Sequence, residues 1–460
     1  MAKFSAENTS LLPTINPYKD DKKASLIERL SEQLIISMEK LGLRHVNKSS
    51  VTSAFFALVN TTMGVGVLGL PWAYSENGLL QGILLTLLSG IFSILACVLL
   101  SEISLVLDKN GENEAVTYYT IAEKTFPKLK SIIDMSILVM SLGACSTYLI
   151  VVVSVLQTLF EPFFPDSMSG STVRTLILFA VVIFVIGPAS YPTTLAELTI
   201  INWIAVFSSL YVVIVVMYSF LSQISQLPIL LQRVDLFSTN SAINLLQTFP
   251  IYVFSFTCHH NFLNVANELE NRTLFRLIIT CILSIGFCII VYIFMGISGY
   301  LLFGNTLKSS DILSMFDTST TIILIARIVL VSSLVFSFPV SCHSFRKSLA
   351  IIIKGGQDAD SSFPKDRYML RSITLLFLFI CTTIAFLTTN LGLTYELIGL
   401  FCSNTVCYFL PAVLFLKIFW DKPLGPLKIS AIILLIFSVL VYPVCFSAIL
   451  YPYFYRQNKS

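Results

Sequence analysis

Charged residues are scarce in this sequence: Asp, Glu, Lys and Arg make up only 12% of its 460 residues. Soluble domains carry about 25% charged residues, so most of this chain cannot form a solvated surface. Its mean hydropathy is +0.83, and apolar runs long enough to cross about 30 Å of hydrocarbon recur along it. The composition therefore predicts an all-α polytopic membrane protein rather than a soluble one.

Paired cysteines and a cleavable leader are also missing from the sequence. None of the ten cysteines belongs to a Cys-x-x-Cys pair, and all lie in or beside apolar runs. We expect them to be small core- or lipid-facing residues without a disulfide or metal role. Because the first 50 residues are polar, no cleavable signal peptide is visible, and the first apolar helix is expected to act as the insertion signal.

The chain divides into a polar tail at 1–50, a transmembrane domain at 51–450 and a short tail at 451–460. Within the first tail, apolar residues at helical spacing between Leu26 and Leu41 predict an amphipathic helix. It rests on the bilayer or the transmembrane body, or acts as a regulatory plug. Eleven apolar segments predict eleven membrane spans, at 51–74, 79–107, 131–160, 174–191, 199–221, 243–265, 275–302, 319–344, 370–388, 391–417 and 427–450.

The basic residues predict a cytosolic N-terminus. With that orientation, 23 Lys and Arg fall in segments on the cytosolic side and 5 fall on the other side, as the positive-inside rule requires. The one remaining basic residue, Arg327, lies inside the eighth span. A charge there must face protein or water, so it is either part of a structural ion pair or a gate.

Two spans contain helix-breaking sequences. In the first span, Gly64, Gly66, Gly69 and Pro71 follow one another within eight residues. Clustered glycines let the backbone leave the helix and expose its N–H groups, and a helix N-terminus there favours an anion such as an α-carboxylate. Close helix packing through small residues is the alternative.

The sixth span favours the first interpretation. Its run Phe254-Ser255-Phe256-Thr257-Cys258-His259-His260-Asn261 places a polar cluster inside an apolar segment. Unwound carbonyls there are suited to an ammonium group. Interrupted helices five spans apart indicate two structural repeats with a binding site at their interface.

These residues resemble a known family. The run Asn60–Pro71 resembles the N-x-x-x-G-x-G-x-L-x-L-P stretch of the amino acid/auxin permease family. The run Phe254–His259, with Glu268-Leu269 beyond it, resembles the F-x-F-x-C-H…E-L stretch of its neutral and vacuolar amino acid transporters. The position of Arg327, twelve residues before Pro339, is also similar. The resemblance covers roughly residues 50–450.

The resemblance implies the leucine-transporter fold, which has two inverted five-helix repeats and one further helix. It implies transport of small or polar neutral amino acids by alternating access. It further implies a set of candidate substrate-binding residues with the carboxylate on the first break and the amine on the sixth: Asn60, Thr61, Gly64, Val65, Gly66, Phe254, Ser255, Thr257 and His259.

Residues of the eighth span indicate which ion drives transport. Sodium-coupled members of the family carry a hydroxyl residue four positions before the proline, where this chain has Val335. Ser332, Ser333 and Ser337 are nearby but out of register, although they stay candidate ion ligands with Asn60. The departure favours protons, or uniport, over sodium. His259 titrates in the range needed to carry a proton, and it is equally consistent with a hydrogen-bonded structural residue.

The N-terminal tail also contains a possible signal for sorting to a particular membrane. Glu7, Leu11 and Leu12 resemble an acidic dileucine signal read by sorting adaptors, which favours a vacuolar or lysosomal membrane over the plasma membrane. The expected partners are thus an amino acid, membrane lipid and such adaptors, with no cofactor, metal, nucleic acid or enzymatic activity implied. An amino acid sensor on the same fold is the alternative function, and a membrane enzyme would need ionisable groups that converge at one depth.

Overall fold

The computed structural model describes residues 49–108, 116–165, 167–191, 198–237, 242–307, 309–317, 320–353 and 367–457. These residues are helical almost throughout, and one parallel bridge joins Ser49 to Leu269. The predicted amphipathic helix at 26–41 and the dileucine motif lie outside the described residues.

The helices agree with the predicted spans to within a few residues in most cases. The last helix runs on to Gln457, so the predicted C-terminal tail at 451–460 is helical over most of its length. In chain order the helices are α1 Val51–Thr62, α2 Gly66–Asn77, α3 Leu79–Asp108, α4 Tyr118–Thr125, α5 Lys130–Phe160, α6 Gly170–Val181, α7 Gly187–Ser190, α8 Leu198–Leu221, α9 Leu227–Leu231, α10 Ala242–Ser255, α11 His259–Glu268, α12 Leu274–Phe303, α13 Thr321–Ile353, α14 Arg367–Leu387, α15 Leu391–Leu397, α16 Leu410–Ile418 and α17 Pro426–Gln457.

Among these residues, nine stretches of helix are long and apolar enough to cross a membrane. The pair α1 and α2, bent by 53° at their junction, forms a tenth when counted as one span. The one remaining predicted span, the sixth at 243–265, is divided between α10 and α11, and neither helix reaches the length of a crossing alone. The structure therefore shows a polytopic helical membrane protein with two broken spans, at the positions where the sequence predicts them.

The packing pairs spans that are five positions apart. Helix α10 of the sixth span packs on α2 of the first, α12 packs on α3, and α13 packs on α5. These pairs place the two broken spans side by side in the middle of the helix bundle. The third and eighth spans pack along the same central region.

The tenth span is irregular as well. Between α15 and α16 the chain forms two π-helical segments, Ile398–Ser403 and Thr405–Phe409. A side-chain carbon at Gly399 would lie 2.0 Å from the carbonyl oxygen of Pro250, so only glycine lets this span approach the sixth so closely. π-Helical segments are frequent at functional sites, and this one touches the broken sixth span.

Candidate functional site

A cavity of about 60 Å³ lies between the two broken spans. A single water needs about 10–15 Å³ by the same measure, so the cavity has room for several waters or a small solute. Four spans contribute its lining: Asn60, Thr61, Thr62, Gly64, Val65, Gly66, Met140, Ser141, Ala144, Tyr148, Phe254, Thr257, His260, Asn261, Ser337, Val340, Ser341 and Ser344.

The first break is produced by the residues that the glycine cluster indicates. Helix α1 ends at Thr62, the Met63 N–H still bonds to the Val59 carbonyl at 2.7 Å, and α2 begins at Gly66. Gly66 opens the new helix, so its N–H has no carbonyl four residues back within that helix. The positive end of the α2 dipole therefore points into the break.

Gly66 is also where the two breaks meet. A side-chain carbon there would lie 2.9 Å from the Ser255 Cα and 2.8 Å from its hydroxyl oxygen. Ser255 is buried, and its hydroxyl donates to the Ile251 carbonyl at 2.8 Å. The glycine thus allows backbone-to-backbone contact between the first and sixth spans. The predicted substrate-binding residue Ser255 is not among the residues that line the cavity.

The second break follows from an interrupted helix at residues 256–258. Helix α10 ends at Ser255, the N–H groups of Phe256 and Thr257 bond only three residues back, and α11 begins at His259. Phe254 and Thr257 line the cavity from this side. The C-terminal end of α10, with its negative dipole end, therefore faces the same region as the start of α2.

Tyrosines hold the two breaks in place. The Tyr292 hydroxyl oxygen lies 2.7 Å from the Thr62 carbonyl oxygen and 2.8 Å from the Ser255 carbonyl oxygen, so its single proton is shared between the two breaks. The Tyr395 hydroxyl donates to the Val65 carbonyl at 3.0 Å, and its ring stacks on Phe254 with centroids 5.4 Å apart. Carbonyls released by unwinding are thereby satisfied within the protein, as membrane burial requires.

Polar side chains cluster at one side of the cavity. The Asn60 amide donates to Asn202 at 2.7 Å, and the Asn261 amide donates to the Thr61 hydroxyl at 3.1 Å. Among the described lining residues, none carries a full charge at neutral pH unless His260 is protonated. A solute without net charge fits this lining better than an ion does.

The third span forms a wall of the cavity that the sequence does not predict. Met140, Ser141, Ala144 and Tyr148 face the cavity, and the Tyr148 hydroxyl lies 3.5 Å from the position of a side-chain carbon on Gly64. These positions follow one helix face, at intervals of four residues from Met140 to Tyr148. The span is apolar on most faces, so its periodicity gave no indication of which side meets the cavity.

The eighth span contributes differently from the prediction. Ser337 lines the cavity, but Ser332 and Ser333 are not among its lining residues, and the Ser332 hydroxyl donates to the Ile328 carbonyl at 2.9 Å. With Ser337, the residues Val340, Ser341 and Ser344 form an i, i+3, i+4, i+7 stripe on α13. That helical spacing places Ser341 and Ser344 on the same face as Ser337, so the sequence could have predicted them as lining residues.

Two further candidate residues lie away from the cavity. His259 is fully buried on the far side of the break, with its Nε2 atom 3.1 Å from the Ser93 carbonyl oxygen, and its neighbour His260 lines the cavity instead. Arg327 donates to the carbonyls of Leu313 at 2.7 Å and Phe316 at 3.1 Å. It therefore anchors the turn before the eighth span, between the seventh span and α13.

Known proteins give an independent comparison. A family model described as transmembrane amino acid transporter protein matches residues 47–450. Vacuolar amino acid transporter 5 of Schizosaccharomyces pombe is 29% identical over 81% of this chain and 85% of its own length. The Saccharomyces cerevisiae protein of that name is 29% identical over 66% of this chain and 67% of itself. Solute carrier family 38 member 8 of Mus musculus is 25% identical over 83% of this chain and 88% of its own length.

Proposed function

This chain belongs to the transmembrane amino acid transporter family, and we propose that it is a secondary transporter of small or polar neutral amino acids. The family consists of transporters, which confirms the expectation that the chain is an integral membrane protein and not an enzyme. The observation that carries the substrate class is the cavity between two broken helices, whose described lining has no fixed charge. A zwitterion matches such a lining because its two charges meet opposite helix ends.

The substrate carboxylate binds at the first break. There the N–H groups of Gly64, Val65 and Gly66 lie at the positive end of α2, and the Tyr148 hydroxyl faces Gly64. Hydrogen bonds to a carboxylate are charge-assisted and stronger than neutral ones. The peptide groups contact the part that all amino acids share, so they do not select a side chain.

The ammonium group binds at the sixth break. Phe254 and Thr257 lie at the C-terminal end of α10, where the helix dipole is negative. Asn60 and Thr61 supply side-chain oxygens on the opposite wall. The amino acid side chain then points toward the third and eighth spans, where Met140, Ala144 and Ser341 leave little room for a large group.

The architecture suits alternating access on the leucine-transporter fold. Pairing of spans one with six, two with seven and three with eight is what two inverted five-helix repeats produce. Together with the 23-to-5 distribution of basic residues, this supports eleven spans and a cytosolic N-terminus. The two repeats rock about the central cavity, and substrate binding shifts the balance between the outward- and inward-facing states.

Protons drive the transport in this proposal. Val335 offers no oxygen at the family's sodium-ligand position, and Ser337 is the one predicted serine that lines the cavity. With the vacuolar relatives, this supports a vacuolar or lysosomal membrane, whose acidic lumen supplies protons for export of amino acids to the cytosol.

Uptake of a panel of labelled amino acids into proteoliposomes tests this function. We expect small neutral amino acids to accumulate under an imposed proton gradient, with no added effect of a sodium gradient. Saturable binding without any flux would identify a sensor instead. Accumulation that follows only the sodium gradient would contradict the proposed coupling.

A further inference from the structure

Five of the ten cysteines gather around the sixth break, and none of them lines the cavity. Cys258 lies in the break, Cys97 on α3, Cys407 in the π-helical part of the tenth span, and Cys281 and Cys288 on α12. All five are at most 1% exposed, and all are free thiols. No spacing of cysteines along the chain predicts such a cluster, because its members come from four separate segments.

Three ligand atoms of this cluster converge. The Sγ atoms of Cys97 and Cys258 and a ring nitrogen of His259 all lie within 4.8 Å of one another. In a tetrahedral zinc site, bonds of about 2.0–2.3 Å place ligand atoms roughly 3.5–4 Å apart. The three atoms therefore need to close by only about 1 Å to share one metal ion, and the Cys407 thiol, which contacts the His259 ring, is available as a fourth ligand.

The hydrogen bond of the His259 Nε2 atom leaves the Nδ1 atom available to bind a metal ion. When Nε2–H donates to the Ser93 carbonyl, 3.1 Å away, the lone pair lies on Nδ1. In the described structure Nδ1 is buried and has no hydrogen-bond partner. Metal-binding histidines commonly donate their second N–H to a backbone carbonyl in this way.

We propose that Cys97, Cys258 and His259 form a site for a thiophilic divalent cation of the zinc class. Such a cation displaces the two thiol protons, forms two metal–sulfur bonds and accepts the imidazole lone pair. The product is neutral, as the empty cluster was, so binding places no net charge in the membrane interior. Cations that prefer oxygen ligands, such as Mg²⁺ and Ca²⁺, find no suitable donor set in these three side chains.

The bound ion inhibits transport, a consequence that rests on the proposed function. Cys258 directly follows Thr257, which lines the cavity, and the Cys258 thiol contacts the side chain of Thr62 in the first span. A metal bond from Cys258 and His259 to Cys97 ties the sixth break to α3. The break then cannot shift relative to the second span, as alternating access requires.

Titration of the purified full-length protein with Cd²⁺ tests the site without reference to transport. We expect one Cd²⁺ per chain, detected by the ultraviolet charge-transfer absorption of cadmium–thiolate bonds, with affinity rising as pH rises because thiol protons are released. Cys97→Ala is expected to lower the affinity at least about 10-fold. Cys258→Ala, which removes the other sulfur, serves as the second variant, and Cys445→Ala removes a buried cysteine of α17 as the matched control.

Metal binding and inhibition of transport are tested separately. Absence of the absorption band in the unmodified protein, or equal binding by Cys97→Ala and Cys445→Ala, overturns the metal site. If Cd²⁺ binds, uptake into proteoliposomes should fall for the unmodified protein and for Cys445→Ala but not for Cys97→Ala. Binding with unchanged uptake overturns the inhibitory role and leaves the site itself in place.

Discussion

At the scale of single residues, the two glycines of the first break have different tasks. Gly66 allows contact with the backbone of Ser255, where a side-chain carbon would come within 2.9 Å of Cα. Gly64 has ordinary space, since its nearest neighbour would be the Tyr148 hydroxyl at 3.5 Å. Substitution at Gly66 therefore disturbs helix packing, whereas substitution at Gly64 fills the cavity.

Gly64→Leu is expected to abolish amino acid uptake while the protein still folds and reaches the membrane. The leucine side chain extends toward Tyr148 and occupies the proposed carboxylate site. Uptake into proteoliposomes, with thermal unfolding of the same preparation, measures both effects. Gly286→Leu is the matched control because no atom lies within 4 Å of a side-chain carbon placed there. Normal uptake by Gly64→Leu would refute the carboxylate site.

Tyr292→Phe tests the link between the breaks. Loss of the hydroxyl removes the donor to the Thr62 and Ser255 carbonyls, and leaving buried polar groups without a partner costs about 1–3 kcal/mol. We expect a lower unfolding temperature together with reduced uptake. Tyr218→Phe, at a tyrosine that is 58% exposed, should change neither. Unchanged stability of Tyr292→Phe would show that the hydroxyl does not hold the breaks.

Sequence reasoning works best where the backbone demands a residue type. Gly64, Gly66 and Thr257 stand out because glycine and polar residues are conspicuous inside an apolar run, whereas Val65 and Phe254 were implied only by the family resemblance. All five line the cavity, and their role in substrate binding stays a prediction. The direction in which a side chain points is set by tertiary packing instead. For that reason His259 and His260 could not be distinguished in sequence, and Tyr148 was overlooked among its apolar neighbours.

At the scale of elements, hydropathy located the spans well, because a membrane-crossing segment is defined by its length and apolar character alone. The second span was predicted at 79–107 and is observed as α3, Leu79–Asp108. The π-helical segments between α15 and α16 left no comparable signal. The first of them packs closely on the sixth span at Gly399 and Pro250, a contact between residues far apart in the chain.

The turn before the eighth span is an element whose stability should depend on pH. The Asp311 side chain accepts from the Leu313 N–H at 3.0 Å, while Arg327 holds the Leu313 carbonyl. Burial raises the pKa of Asp311 to about 6, although the Leu313 N–H and Arg327 oppose this shift. The folded protein therefore binds a proton more tightly than the unfolded chain, whose aspartate has a pKa of about 3.9.

The sign of the effect follows from that difference. The contribution of Asp311 to stability is full below about pH 4 and is lost as the pH rises through about 6. We expect the unmodified protein to gain about 1 kcal/mol at pH 5 relative to pH 7, compared with Asp311→Asn. Thermal unfolding of both proteins at the two pH values measures it. Equal pH dependence would show that Asp311 does not titrate in this window.

At the scale of the whole molecule, the pairing of spans five positions apart brings both breaks to one cavity. Sequence order suggested this arrangement, since two interrupted spans separated by four intact ones indicate a repeat. It could not supply the third and eighth spans as the remaining walls, because that assignment depends on the packing of α5 against α13. The two breaks are therefore visible in the local sequence, whereas the other two walls of the cavity depend on contacts between distant parts of the chain.

An experimental structure of the protein in lipid with a transported amino acid bound would test the proposed binding site. We predict the carboxylate within hydrogen-bonding distance of the N–H groups of Gly64–Gly66, and the ammonium beside the carbonyls at Phe254–Thr257. Continuous helices through 60–70 and 254–262, or an amino acid bound elsewhere, would contradict it.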